Sequence, residues 1–124
     1  MTQNPSTKKS EIVGLDKFLE EDVPVKISLS PGQVILAQIV SYNGKREYKG
    51  KNGDYQKLAF NVKVLSDNMG KYNDLSGELA LPLNSFPVIR AGLQKGDTCV
   101  KVVRNNNFTD VAMFPLEMCM RGMA

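Results

Sequence analysis

The segment from Tyr42 to Lys63, YNGKREYKGKNGDYQKLAFNVK, holds the residues best suited to gripping a polyanion. Lys45, Arg46, Lys49, Lys51, Lys57 and Lys63 face only Glu47 and Asp54, a local charge of +4 in a chain whose net charge is +3. The remainder is therefore slightly acidic, and the positive excess is concentrated here. Tyr42, Tyr48 and Tyr55 are interleaved with the cations. Lysine and arginine attract phosphates, and flat rings stack on unpaired bases. A solvated, glycine-rich loop could carry the same lysines without any binding role. What favours a site is alternation: Lys57 and Lys63 fall on the same strand face as Tyr55, because side chains in a strand repeat every two residues. Tyr48 sits between Arg46 and Lys49 with no core role, whereas Phe60 alternates with Leu58 and Val62 and belongs to the core.

Other chemistries find little support. There is no histidine, so the commonest general base and the commonest zinc ligand are missing. GKNGDYQK lacks the lysine-serine ending of a phosphate-binding loop. Asp54, Asp67, Asp74 and Asp97 show no local spacing that would gather a metal. No enzyme, cofactor or metal is expected. Cys99 and Cys119 make neither a disulfide framework nor a zinc site, and read as two reduced thiols in a cytosolic protein. Met113, Met118, Cys119, Met120 and Met123 cluster near the end of the sequence. Soft sulfur suits copper(I), but methionines more often fill gaps or mediate self-association.

These groups need a scaffold. At 124 residues the chain is one domain with room for a core. Residues 1–10 read as a disordered tail, 11–116 as the domain and 117–124 as a methionine-rich tail. GLDKFLEED at 14–22 spaces Leu15, Phe18 and Leu19 as a short N-terminal helix whose other face, with Glu11 nearby, is acidic. Val25, Ile27 and Leu29 alternate as an edge strand. QVILAQIVSY, 33–42, predicts a long strand buried on much of both faces. Residues 43–54 read as a flexible, exposed loop with a tight turn at Asn52-Gly53. Strand 55–65 follows, then strand 77–83 with Leu79, Leu81 and Leu83 inward. Asn84-Ser85 offers a cap for a short helix, FPVIRAGL, with Pro87 early in it and Gly92 as its stop. Strands 98–104 and 108–116 flank a turn at Asn105–Asn107. No run is long enough for a signal peptide or a membrane span, which predicts a soluble, cytoplasmic protein (host-cell cytoplasm if viral). A pI of 8.9 permits a polyanionic partner.

Strand, basic loop, strand, strand, short helix, strand, strand is the element order of the oligonucleotide/oligosaccharide-binding (OB) fold. The fold expected is therefore all-β: a five-stranded Greek-key barrel with a short helix between strands three and four. In its residues the chain resembles the OB-fold single-stranded DNA-binding proteins, nearest to small phage or archaeal members. QVILAQIVSY, NGKREYKGKNGDY, YQKLAFNVKVL and KGDTCVKVVRNNNFTDVAMFPL carry the likeness, over roughly residues 25–116. The chain departs from bacterial members in ending MCMRGMA rather than in a glycine-rich linker with an acidic tip, and in lacking tryptophan. The resemblance implies binding of single-stranded DNA with little sequence preference, in replication, recombination or repair. The groove expected combines Lys45, Arg46, Tyr48, Lys49, Lys51, Tyr55, Lys57 and Lys63 with Lys101 and Arg104 on a second wall. Phe108 belongs either to that groove or to the barrel end. The alternatives are single-stranded RNA binding and a protein–protein scaffold that self-associates through its tail.

Overall fold

The computed structural model describes residues 25–121 together with Val13. The expected N-terminal tail, the helix at 14–22 with its acidic residues, and residues 122–124 lie outside the described residues. The elements are β1 (Val25–Ile27), β2 (Val34–Gly50), β3 (Gly53–Asp67), β4 (Ser76–Pro82), a 3-10 turn (Leu83–Ser85), α1 (Phe86–Gln94), β5 (Cys99–Arg104), β6 (Thr109–Phe114) and α2 (Leu116–Met120). They form one six-stranded sheet in the order β1-β4-β3-β2-β5-β6. β1 runs parallel to β4, and every other ladder is antiparallel.

The long apolar run begins β2, as its β-branched residues require, but its burial is uneven. Ile35, Leu36 and Ala37 are buried, whereas Val40 and Tyr42 are exposed. Register shifts after Leu36, Ile39 and Tyr42 bend the strand, as bulges do. The start of β2, through Gln38, pairs with both β3 and β5; the rest of the strand pairs with β3 alone.

Residues 43–54 are not a flexible loop. β2 and β3 continue through them as a two-stranded ribbon that turns at Lys51 and Asn52. Cross-strand pairs explain the order: Tyr48 lies opposite Tyr55, and Lys49 opposite Asp54. Rings that touch and opposite charges that face each other both stabilise a ladder. Gly53, at φ +120°, takes the backbone conformation that a side chain resists.

Alternation in β3 is as expected: Leu58, Phe60, Val62 and Val64 are buried. They join Ile27, Ile35, Leu79, Leu81, Val100 and Val102 in one cluster, with Val111 and Met113 of β6 packed against it. Every strand thus contributes to the same interior, so the sheet must curl. Its two wings approach each other: β4 and β6 are in contact although they are not hydrogen-bonded neighbours.

Leu83 does not point inward. It leaves the strand in the 3-10 turn and is exposed. Gly92 does not stop α1, which runs on to Gln94. It is buried where the helix meets β6, and a Cβ there would strike the Met113 side chain. The absence of a side chain is what lets α1 pack so closely. Ser85 does precede the helix, but its hydroxyl donates to the Pro82 carbonyl at 2.6 Å and caps no helical N–H.

The two cysteines are a correction. Cys99 and Cys119 are joined in a disulfide, with Cα atoms 6.4 Å apart. Cys99 opens β5 on the outer face of the sheet, and α2 folds back to lay Cys119 over it. Leu36, Leu65, Phe114 and Leu116 enclose the bond. Spacing along the chain gave no hint of this, because a turn, β6 and a helix intervene. The bond also withdraws Cys119 from any soft-metal site; no cluster of three metal-ligating residues occurs among the described residues. No helix among them is long and apolar enough to cross a membrane.

Candidate nucleic-acid interface

The ribbon sorts the basic residues onto two faces. Arg46, Tyr48, Tyr55 and Lys57 share one, since Arg46 lies opposite Lys57 and Tyr48 opposite Tyr55. Lys45 and Lys49 fall on the other, beside Leu58 and Asp54. Lys51 stands at the tip. The set read from the sequence as one cluster is therefore split by the pleat.

On the shared face the Tyr48 and Tyr55 rings stack, 5.5 Å apart with 16° between planes. Lys57 places its ammonium 5.4 Å from the Tyr48 centroid and 5.9 Å from that of Tyr55. The π faces attract the cation and hold it over the rings. Gly50 leaves room for this: a Cβ there would come 3.0 Å from the edge of the Tyr55 ring. Of the pair, Tyr55 remains exposed and gives a planar group access to the stack.

Tyr48 and Lys57 also line a groove of about 400 Å³ between the two wings of the sheet. Its other polar walls are Lys26, Glu78, Arg104 and Thr109; Ile27, Leu29, Leu79, Ala80 and Val102 form the apolar floor. Residues far apart in sequence thus converge: Lys26 from β1, Tyr48 and Lys57 from the ribbon, Arg104 from the end of β5. Tyr55 adjoins this groove through its stack on Tyr48. Lys63 continues the outer face of β3, about 20 Å along the strand from Lys57 at roughly 3.3 Å per residue. Lys101 is elsewhere, opposite Leu36 and Ala112 on the disulfide side of the sheet. Phe108 is exposed in the turn before β6, next to groove-lining Thr109.

Arg46 is on the groove face but already engaged. Its Nη2 donates to Glu78 Oε1 at 3.0 Å and its Nη1 to the Asn43 carbonyl at 3.2 Å. Lys26 donates to the other oxygen of Glu78, also at 3.0 Å, and Asn43 Nδ2 donates to Oε1 at 3.1 Å. Asn43 and Asn61 exchange amide hydrogen bonds, and Asn61 also donates to the Ser41 hydroxyl. Burial raises the Glu78 pKa; the bonds from Lys26, Arg46 and Asn43 and the Lys26 charge lower it, and the lowering prevails. Glu78 is ionised at neutral pH.

Sequence reasoning missed Lys26, Glu78 and Thr109. Lys26 and Glu78 each occupy a polar position in an alternating strand, which is a weak signal alone. Only the parallel pairing of β1 with β4 sets them directly opposite, and nothing local in the sequence announces that pairing.

A second hollow, about 340 Å³ and nearly all apolar, lies between α1 and the bent part of β2, lined by Tyr42, Phe60, Phe86, Ile89, Arg90, Leu93 and Gln94. Tyr42, placed on neither face by sequence, packs its ring 5.1 Å from that of Phe60 and leaves half its surface exposed.

No protein-family model, curated protein or solved structure matches this chain.

Proposed function

We propose that this chain is a single OB-type barrel that binds single-stranded nucleic acid with little sequence preference. The reading rests on one observation. Tyr48, Lys57 and Arg104, singled out by charge and ring chemistry, line the same groove together with Lys26. The fold supports it: a β2–β3–β4 meander, a helix, then β5 beside β2, follows the order expected of an OB fold, and β4 and β6, the strands that would meet in such a barrel, are in contact. Cations capture the phosphates, bases extend the Tyr48–Tyr55 stack, and no bond is made or broken. The resemblance to single-stranded DNA-binding barrels sets DNA ahead of RNA and suggests protection of exposed strands in replication, recombination or repair. A cytoplasmic setting rests on that resemblance alone now that the cysteines are paired.

Anisotropy titration with a labelled dT oligomer tests the proposal. With about five phosphates neutralised, log affinity against log salt should fall with a slope of about −3.5, at about −0.7 per contact on a single strand. Tyr48→Ala should weaken binding by about 1–3 kcal/mol, the usual worth of one stacked base, with little change in melting temperature. No binding to single strands at low salt rejects the reading. Tighter binding of a duplex than of its separated strand rejects the single-strand assignment, and competition by a matched RNA oligomer decides between DNA and RNA.

The apolar hollow beside α1 favours a second reading, a protein-binding scaffold. Strong self-association with negligible, salt-insensitive DNA binding would select it.

A further inference from the structure

Glu78 is an unexpected presence in a groove built to hold phosphates. Its side chain is 7% exposed, yet its carboxylate lies among the cations of the groove. The two cations it holds are far more open: Lys26 is 75% and Arg46 42% exposed at the side chain. Both carboxylate oxygens are occupied, one by Lys26 and the other by Arg46 and Asn43. Three of its roughly four acceptor positions are filled, which leaves little capacity to accept from a base edge. It can act on a nucleic acid through its charge and through the cations it holds.

We infer that Glu78 is an internal counter-anion of the groove, holding Lys26 and Arg46 in the free protein and limiting how tightly the groove takes a phosphate strand. This deepens the proposed function and rests on it. A carboxylate offers two charged oxygens to lysine and arginine much as a phosphate does. An incoming phosphate must therefore share Lys26 and Arg46 with Glu78 or draw them away, and it meets a fixed negative charge in either case. The burial of Glu78 matters, because a charge shielded from water is poorly screened by salt. Such a brake keeps binding reversible on a surface that other proteins must later clear.

The alternative is that Glu78 only pins β1 to β4, since Lys26 and Glu78 are register partners across that ladder. Binding measurements separate the two. Glu78→Gln keeps an acceptor for Arg46 and Asn43, removes the charge, and sets an amide donor against Lys26. It should bind a labelled dT oligomer about tenfold more tightly than the natural chain, a change of about 1.4 kcal/mol. Its salt slope should steepen by about 0.7 for each released cation that takes up a phosphate.

Opening a buried pair can unfold a small domain, so a second variant carries the same question. Lys26→Met with Glu78→Gln removes one charge of each sign and the clash of donors, leaving net charge unchanged. It should bind at least as tightly as the natural chain, because Arg46 is released. If Glu78 merely pins the strands, this double variant loses a phosphate contact, binds more weakly, and shows a slope shallower by about 0.7. That result, or an unchanged affinity in Glu78→Gln, overturns the inference and leaves the proposed function standing. Failure of both the natural chain and the two variants to bind at low salt overturns both together.

Discussion

Asp67→Ala is expected to lower the unfolding free energy by about 3 kcal/mol, because each buried donor left without its acceptor costs about 1–3 kcal/mol. Asp67 ends β3 and is buried. Its carboxylate accepts from the Gln33 amide at 2.9 and 3.0 Å. It also accepts from the backbone N–H groups of Met69, Lys71 and Tyr72, at 2.8, 3.0 and 2.8 Å. These bonds shape residues 68–72 so that the buried Tyr72 ring can reach the core and exchange hydrogen bonds with the Ser28 backbone. Alanine would strand the Gln33 amide, itself 1% exposed, and three backbone donors.

The same site sets an acid limit. Burial raises the Asp67 pKa, but the bonds from Met69, Gln33, Tyr72 and Lys71 lower it more, so it lies below the ordinary carboxylate value. The unfolded chain therefore binds a proton at higher pH than the folded one. The stabilisation is complete above the unfolded pKa, about 3.9, and is lost as pH falls through the folded value. Glu78 shifts the same way, so stability should fall on acidification below about pH 4. Urea melts at pH 7 and pH 3 measure this, and Asp67→Asn should flatten the decline. A loss under 1 kcal/mol at pH 7 in Asp67→Ala would show that residues 68–72 hold their shape without the carboxylate.

The second large effect concerns the disulfide. Cys99 and Cys119 close a loop of 20 residues, for which restriction of the unfolded chain is worth about 3 kcal/mol. Cys99→Ala with Cys119→Ala should lower stability by about that much. The natural chain should lose a similar amount when melted in a dithiol reductant, and the double variant should not respond to reductant at all. Because Cys99 is fully buried and Cys119 nearly so, reduction should be slow under native conditions and fast in urea. Superimposable melts of the natural chain with and without reductant would show that the thiols are unpaired in solution.

Much of the sheet was legible because it is local. The alternation of Leu58, Phe60, Val62 and Val64 fixed one face of β3, and Asn52-Gly53 marked the ribbon turn to within a residue. Pro87 anticipated the start of α1. Composition misled at 43–54: three glycines and two asparagines read as a loop, while the Tyr48–Tyr55 and Lys49–Asp54 pairs make a ladder. Gly92 misled for a related reason, since the chemistry that ends a helix also permits a close approach. The candidate site was half legible. Tyr48, Tyr55, Lys57 and Arg104 were found by chemistry, but the pleat sends Lys45 and Lys49 to the opposite face of the ribbon, and Lys101 lies on the disulfide side. The engagement of Arg46 by Glu78 depends on β4 joining β3, and the presence of Lys26 depends on β1 pairing with β4 across about fifty intervening residues. No local pattern encodes such a pairing.

β2 is the keystone of this architecture. It alone joins the β1-β4-β3 wing to the β5-β6 wing through backbone hydrogen bonds. As a nascent chain emerges, β2 can zip to β3 at once, but its second edge stays bare until β5 arrives some sixty residues later. That late, long-range closure is the kind of step that limits folding rate. Until it happens, the apolar start of β2 is the stretch most prone to pair with a neighbouring molecule.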